Sequence, residues 1–122
     1  MDWRVNQLKN LLKLYDENED RIIKALNADL RKPNSESIML EIEYSRNDVR
    51  GCLNNIRDWT KDNYVEKNMV TAMDQTLIHY EPYGVVLILG CWNYPIQLTL
   101  GVMAGVIAAG NCIVIKVSDV IE

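Results

Sequence analysis

The sequence predicts an α/β fold in which helices come first, a β-hairpin follows, and a strand–helix–strand unit of a parallel sheet comes last. Most charged side chains lie in residues 1–67, where apolar residues recur at the three- and four-residue steps of an amphipathic helix. No charged side chain lies between Glu81 and Lys116. Two apolar runs in that stretch show no alternation, which is typical of strands in a parallel sheet covered on both faces.

Two helices are expected before Pro33. Their apolar stripes are Val5, Leu8, Leu12 and Tyr15 in the first, and Ile22, Ile23, Leu26 and Leu30 in the second. The polar residues 16–19 lie between the stripes, have the spacing of a capping box and are a candidate break. The second helix is predicted to stop near Pro33, because the residue before a proline avoids helical backbone angles.

A third helix is predicted to start at Asn34 or Ser35, either of which is a suitable N-cap, and to reach Trp59. Its apolar positions are Ile38, Ile42, Val49, Cys52, Leu53 and Ile56. Apolar side chains at helical spacing are typical of core packing, so we expect these positions to face the other helices rather than a ligand.

The pattern changes to strands after residue 67. Residues 76–80 are rich in β-branched and aromatic side chains and are followed by Pro82 and Gly84, so a hairpin is predicted within 68–84. Residues 85–89 and 112–115 are the two apolar runs and are predicted to be parallel strands.

The segment between these strands is predicted to be a buried helix. Pro95 suits the first position of a helix, and residues 96–109 are apolar nearly all round. Gly110 follows where a left-handed C-cap is expected. The complete strand–helix–strand unit is expected to have a right-handed crossover.

Composition excludes several classes of protein. The chain has 122 residues, of which 48% are hydrophobic and 25% charged, as expected for one small globular domain or part of a larger one. Its net charge of -4 argues against nucleic-acid binding, since no basic excess is available to neutralise phosphates. Three cysteines favour a reducing, cytoplasmic location over a disulfide scaffold. With His79 as the single histidine, a His-rich metal site is excluded and no metal is expected.

A membrane span is the alternative interpretation of the uncharged run from 82 to 115. Gly101 and Gly105 have the GxxxG spacing of paired membrane helices. A span needs about 20 mainly apolar residues in one helix, whereas Gly90, Asn93 and Pro95 interrupt this run. We therefore expect no membrane segment in this chain, and the N-terminus has no apolar region typical of a signal peptide.

The predicted sheet places its candidate site beyond the carboxyl ends of its strands, where ligands of open parallel sheets bind. Residues 91–93 and 116–119 follow the two strands and are expected to be neighbours. The dinucleotide fingerprint G-x-G-x-x-G does not follow the first strand. Cys91 is a candidate nucleophile, since a thiol before a helix N-terminus can have a lowered pKa, but no acid or base lies within three residues of it. His79 is expected to be a strand-surface residue rather than a catalyst.

The chain resembles the aldehyde dehydrogenase superfamily in several segments that occur in the expected order and spacing. Residues 84–95 read G-V-V-L-I-L-G-C-W-N-Y-P, and residues 104–116 read A-G-V-I-A-A-G-N-C-I-V-I-K. The W-N-Y-P and A-A-G-N forms are most similar to the class 3 or fatty-aldehyde branch. Residues 25–32 and 80–84 are similar to the N-terminal region of the same branch.

The resemblance implies NAD(P)-dependent oxidation of an aldehyde to a carboxylic acid through a cysteine thioester, with NAD or NADP as cofactor. Family members carry the catalytic cysteine and glutamate downstream of the A-A-G-N segment, in regions that this sequence lacks. Cys52, Cys91 and Cys112 do not match the catalytic-cysteine segment, so this chain alone is expected to be inactive. The alternative is a non-catalytic, truncated subunit that assembles with full-length partners or has no activity.

The resemblance also implies roles for individual residues. Asn93 matches an asparagine whose amide stabilises the oxyanion of the cysteine adduct. Lys116 matches a lysine that hydrogen-bonds the adenosine ribose. Asp119 stands where the family has a glutamate that often shares this task, and it is one methylene shorter. Trp92 belongs to the same cofactor and substrate neighbourhood.

The resemblance divides the chain into three parts. Residues 1–67 are the N-terminal helical part of the cofactor-binding domain, and residues 68–84 form a hairpin that acts as an oligomerisation element. Residues 85–122 begin a Rossmann-like NAD(P)-binding domain, which is incomplete. Class 3 relatives are typically dimers, so a homodimer is expected for a full-length form.

Overall fold

The computed structural model describes residues 1–120. This part of the chain forms a layer of helices packed on one face of a two-stranded parallel sheet, with a separate antiparallel strand pair. The helices are α1 (Asp2–Leu30), α2 (Asn34–Glu36), α3 (Tyr44–Trp59) and α4 (Val102–Ala109), with π-helical turns at Ser37–Glu43 and Ile96–Gly101. The strands are β1 (Asn63–Tyr64), β2 (Leu77–Ile78), β3 (Val85–Leu89) and β4 (Cys112–Lys116).

Helix α1 is continuous, so the predicted break at residues 16–19 is wrong. The polar side chains there have partners that leave the helix intact. Asp16 and Glu19 bind the guanidinium of Arg46 at 2.9 and 2.7 Å, and the Asn18 amide donates to the Leu14 carbonyl one turn earlier. The helix ends at Leu30, near the predicted stop.

Helix α2, the first π-helical turn and α3 form one uninterrupted helical stretch over residues 34–59. The predicted N-cap at Asn34 or Ser35 is wrong, because both residues already lie inside the first turn and Pro33 occupies the cap position without a side-chain hydrogen bond. The π-helical turn carries Glu41 and Ile42, both fully buried. Such turns widen the helix by one residue and are frequent at functional sites.

The core lies between α1, α3 and α4, as the helical periodicity predicts. Its buried members are Leu8, Leu11, Tyr15, Ile42, Val49, Cys52, Ile56, Ala104, Ile107 and Ala108. Burial raises the pKa of the Cys52 thiol. A Cβ at Gly101 would lie 3.1 Å from the Ser45 hydroxyl oxygen, so this glycine permits a close helix contact. Within residues 1–120, no helix has the length and apolar character needed to cross a bilayer.

Strands β3 and β4 are parallel, as predicted, and pair from Val85 with Cys112 to Leu89 with Lys116. Gly110 ends α4 with φ of 92°, which is the left-handed C-cap that the sequence indicates. The helical crossover therefore runs directly into β4.

Only one face of this sheet is covered within the described residues. Ile88 is buried on the helix side, whereas Val85, Leu87 and Leu89 are 66%, 58% and 68% exposed. Val114 on β4 is exposed as well. We call Val85, Leu87, Leu89 and Val114 the free face. The apolar runs correctly indicate a parallel sheet. They also predict a cover on both faces, whereas residues 1–120 cover only one face.

The antiparallel pair joins β1 to β2, so one of its strands lies before the range 68–84 in which the sequence places the hairpin. His79 follows β2 and is exposed, as expected for a strand-surface residue. Its Nδ1 lies 2.5 Å from a carboxylate oxygen of Asp62, which precedes β1. This hydrogen bond raises the pKa of His79.

We predict that the isolated 122-residue chain is not a cooperative, folded monomer, because exposed apolar strands promote association. The expected results are self-association in light scattering, poor amide NMR dispersion and a broad thermal transition. Replacing Leu87 by Thr should reduce the association, because that side chain lies on the free face. The matched change Ile88→Thr should not reduce the association, because Ile88 is only 5% exposed and lies on the side of the sheet that the helices cover. A dispersed wild-type spectrum with one sharp transition would contradict the prediction.

Candidate functional site

The candidate site lies at the carboxyl edge of β3 and β4. Leu89 pairs with Lys116 in the last rung of the ladder, and the N–H of Gly90 donates to the Lys116 carbonyl at 2.9 Å. Residues 90–95, which follow β3, and residues 117–119, which follow β4, therefore start side by side. The structure thus brings together the two segments that the sequence predicts to be neighbours.

Lys116 and Asp119 form an ion pair at this edge. The ammonium nitrogen lies 2.5 Å from a carboxylate oxygen, and the two side chains are 51% and 86% exposed. An ammonium donates hydrogen bonds and a carboxylate accepts them. The pair therefore offers a hydrogen-bond donor and a hydrogen-bond acceptor side by side to a ligand that approaches from the solvent.

Trp92 and Asn93 occupy the loop after β3. Both are exposed, with Trp92 at 52%. Within residues 1–120, the Asn93 side chain makes no hydrogen bond, whereas the next residue, Tyr94, contacts the Lys32 ammonium through its ring. Its N–H groups are therefore available to a ligand oxygen at the carboxyl edge of the sheet.

Glu41 is a buried residue that supports the candidate site, and the sequence did not lead us to predict this role. Its side chain is fully buried. One carboxylate oxygen accepts the backbone N–H groups of Ile96 and Gln97 at 3.0 and 2.9 Å. The other lies 2.5 Å from the ammonium of Lys32. Glu41 thus caps the helical segment that begins directly after the Asn93 loop, and a negative charge is favourable at a helix N-terminus.

Lys32 connects this carboxylate to the loop itself. Its side chain is 8% exposed, and its ammonium nitrogen lies 3.7 Å from the centroid of the Tyr94 ring. A cation over an aromatic face is attracted by the ring quadrupole. The sequence does contain one signal that could have identified Glu41: it is a charged residue within the apolar stripe that includes Ile38 and Ile42.

The start of the loop is fixed by close packing. A Cβ at Gly90 would lie 2.6 Å from the Thr99 hydroxyl oxygen. Glycine is therefore needed at the end of β3, where the chain passes the π-helical turn Ile96–Gly101. Cys91 is half-buried, and its thiol donates to the Tyr94 carbonyl at 3.5 Å. That partner is a backbone carbonyl, which cannot act as a general base.

A cleft of about 440 Å³ opens beside this edge. Its wall includes Asp29 of α1, Cys91, Thr99 and Ser118, and the rest of the lining is mainly apolar. Trp92, Asn93, Lys116 and Asp119 do not line this cleft. Ile115, which does, precedes Lys116 on β4, so the cleft lies on the helix-covered side of the sheet and the Lys116 side chain on the other. In the part of the chain that the structure describes, no group of three His, Cys, Asp or Glu side chains is arranged to hold a metal ion.

A two-strand parallel unit whose polar residues meet at its carboxyl edge is typical of nucleotide-binding domains. Comparison with known proteins defines the class more closely. The model of the aldehyde dehydrogenase family matches residues 1–121, and the chain belongs to this family. It is similar to the N-terminal part of class 3 members, which confirms the resemblance seen in the sequence.

Individual relatives agree with this assignment. Aldehyde dehydrogenase family 3 member B1 of Bos taurus is 44% identical over 119 residues, which are 98% of this chain and 25% of that protein. The dimeric NADP-preferring aldehyde dehydrogenase of Canis lupus familiaris is 39% identical over 122 residues, which are 100% of this chain and 27% of that protein. A substrate-bound structure of Staphylococcus aureus AldH superposes with a TM-score of 0.92 at 35% identity, over 95% of this chain and 25% of that one. The chain thus spans about a quarter of the length of these relatives.

Proposed function

We propose that this chain forms the first part of the cofactor-binding domain of an NAD(P)-dependent aldehyde dehydrogenase, which oxidises an aldehyde to a carboxylic acid. One observation carries the proposal. In a chain of this family, the parallel ladder sets the Asn93 loop beside the Lys116–Asp119 pair at the carboxyl edge of the sheet. That is the arrangement needed to hold a dinucleotide next to a reacting carbonyl.

The residues at this edge fit an adenosine ribose. Each ribose hydroxyl both donates and accepts hydrogen bonds, and the solvent-facing ion pair of Lys116 and Asp119 offers one partner of each kind. Trp92 is exposed in the loop after β3. Bound NAD or NADP would supply the hydride acceptor. The short side chain of Asp119 leaves room near the ribose 2′ position, so we propose that both cofactors are accepted, and the dog relative is named NADP-preferring.

Asn93 is proposed to stabilise the oxyanion. When a cysteine thiolate attacks an aldehyde carbonyl, a sulfur–carbon bond forms and the carbonyl π electrons move to oxygen. The Asn93 amide can donate a hydrogen bond to that oxygen without transferring its proton. Pro95 has no backbone N–H, so a developing oxyanion must find its donors elsewhere, and the Asn93 amide is one candidate.

We propose that the chain alone does not oxidise aldehydes. Of its three cysteines, Cys52 is buried with a raised pKa, Cys112 lies on strand β4, and Cys91 bonds to a backbone carbonyl. The second candidate function is that of a non-catalytic subunit that assembles with longer partners. The free face favours it, because an apolar sheet surface of this kind needs a cover.

Two experiments separate these functions. The transcript should be sequenced beyond the codon for Glu122. An open frame that continues into a cysteine-bearing segment supports the enzyme, and a stop codon supports the assembling subunit. Independently, residues 1–120 can replace the matching segment of the bovine family 3 member B1. We call this protein the chimera, and we expect it to oxidise aldehydes with NAD or NADP. An inactive, folded chimera would refute the enzymatic proposal.

Assembly and location belong to the same proposal. We propose a cytoplasmic homodimer in which residues 68–84, which include β2 of the antiparallel pair, contribute to the subunit interface; the dog relative is named dimeric. Sedimentation of the chimera before and after deletion of residues 68–76 tests the interface. Cell fractionation tests the location.

We predict that Lys116→Ala in the chimera weakens NAD and NADP binding about tenfold or more, because a hydrogen bond from a charged group contributes about 1.5–3 kcal/mol. Isothermal titration with each cofactor measures the effect. Lys61→Ala is the matched control, since Lys61 forms an exposed ion pair of the same length with Asp58, three residues away and far from the site's sequence segments. Equal dissociation constants for wild type and Lys116→Ala would remove the ribose role.

We predict that Asn93→Ala in the chimera lowers kcat by about 10²–10³, the usual effect of removing one oxyanion donor. Cofactor affinity should hardly change, because the hydrogen bond forms mainly with the charged adduct. Asn93→Asp should be at least as damaging, since it places a carboxylate beside the oxyanion.

The competing view makes Asn93 only a turn residue. Asp is as suitable in turns as Asn, so that view predicts a mild Asn93→Asp variant and a lowered melting temperature for Asn93→Ala. Near-normal kcat in folded Asn93→Asp would contradict the oxyanion role.

A further inference from the structure

The helical segment that follows the candidate oxyanion loop is capped by a residue from a distant part of the chain. The N–H groups of Ile96 and Gln97 both donate to one carboxylate oxygen of Glu41, which lies 55 and 56 residues earlier. The first N–H groups of a helix have no partner within the helix and must find one elsewhere. Glu41 provides it from a fully buried position, with Lys32 on its other oxygen.

We infer that Glu41, held by Lys32, is a positioning residue that fixes the Asn93 amide for oxyanion binding. The inference rests on the proposed function, because it assigns Glu41 a part in the same reaction. Glu41 touches neither Asn93 nor the expected substrate position. It acts through the backbone that carries Asn93.

The loop is held from both sides while the Asn93 side chain stays free. On one side, the Gly90 N–H is bonded to the Lys116 carbonyl at the end of the ladder. On the other, Tyr94 stacks under the Lys32 ammonium, and two residues further on the helical segment is tied to Glu41. The stretch between the two anchors is short and has little freedom to shift. Asn93 therefore has a fixed backbone and an exposed amide.

Fixed placement matters for the chemistry. A donor stabilises an oxyanion only when it already points to where the charge develops. A displacement of about 1 Å can cost about 10² in rate. Loss of the Glu41 contact frees two backbone N–H groups and the ammonium that supports Tyr94, so it should displace Asn93 by enough to matter.

The test uses Glu41→Gln in the chimera, which keeps the size of the side chain and removes its charge. We expect kcat to fall about 10- to 100-fold, with NAD and NADP dissociation constants within twofold of wild type. In an Asn93→Ala background, the same change should have little further effect on kcat, because the donor that it positions is already absent.

Glu43→Gln is the matched control. Glu43 lies on the same π-helical turn and binds Arg46 and Arg50, but it has no contact with the Asn93 loop among the described interactions. It should lower the melting temperature and leave kcat unchanged. A purely structural role for Glu41 predicts the same behaviour for Glu41→Gln.

Tyr94 provides a second test that does not disturb the buried carboxylate. Tyr94→Ala should lower kcat, and Tyr94→Phe should restore it, because the ring rather than the hydroxyl contacts Lys32. This pair of variants decides the question if Glu41→Gln fails to fold.

The outcomes separate this inference from the proposed function. An inactive wild-type chimera, or normal kcat in Asn93→Ala, refutes the proposed oxyanion chemistry, and the inference falls with it. If that chemistry is intact, an unchanged kcat in Glu41→Gln overturns the inference. So does a double variant in which the losses of kcat from Glu41→Gln and Asn93→Ala multiply, because the two residues then act independently. Equal kcat in Tyr94→Ala and Tyr94→Phe overturns it as well.

Discussion

The rest of this structure depends on the contacts that the buried carboxylate of Glu41 makes with Lys32 and with the backbone of Ile96 and Gln97. Burying a charge is unfavourable unless it is paired and hydrogen-bonded. Glu41 meets both needs with groups from different elements: the ammonium of Lys32, just after α1, and two N–H groups at the start of the segment after Pro95. Three parts of the chain are thereby fixed at one point. Removal of any one partner leaves a buried charge or buried donors without a partner, so the three must pack together or not at all.

The π-helical turn at Ser37–Glu43 makes this junction possible. An extra residue in the turn allows Glu41 and Ile42 both to be fully buried, one against the polar junction and the other in the apolar core. Immediately after it, the Ser45 hydroxyl donates to the Glu41 carbonyl at 2.6 Å and packs against the backbone of Gly101. The irregular turn and the glycine therefore work together, because the close approach of the two helices brings Ile96 and Gln97 within reach of Glu41.

The sequence predicts well those features that neighbouring residues decide. The stop near Pro33, the C-cap at Gly110 and the parallel strands follow from local backbone preferences and apolar patterning, and all are confirmed. The N-cap prediction at Asn34 or Ser35 is wrong because the helix already begins directly after Pro33. The prediction of a break at residues 16–19 is wrong because a local polar signal has a distant cause. Asp16 binds Arg46 thirty residues later in the chain, and capping signals cannot show that. For the same reason Glu41 was missed, since its partners Ile96 and Gln97 are distant in sequence.

The two halves of the candidate site, the Asn93 loop and Lys116, are held in place by different parts of the structure. The Asn93 loop rests on the buried junction, whereas Lys116 is held by the β3–β4 ladder and by its exposed ion pair with Asp119. Because side chains alternate along a strand, Lys116 projects from the same side of the sheet as Val114, which belongs to the free face. Whatever covers the free face therefore borders Lys116 as well. A ligand that binds Lys116 only in the covered, ordered sheet stabilises that state by mass action. Cofactor binding and completion of the sheet are consequently linked, and the Asn93 loop shares in both, because its first residue, Gly90, is hydrogen-bonded to the Lys116 carbonyl.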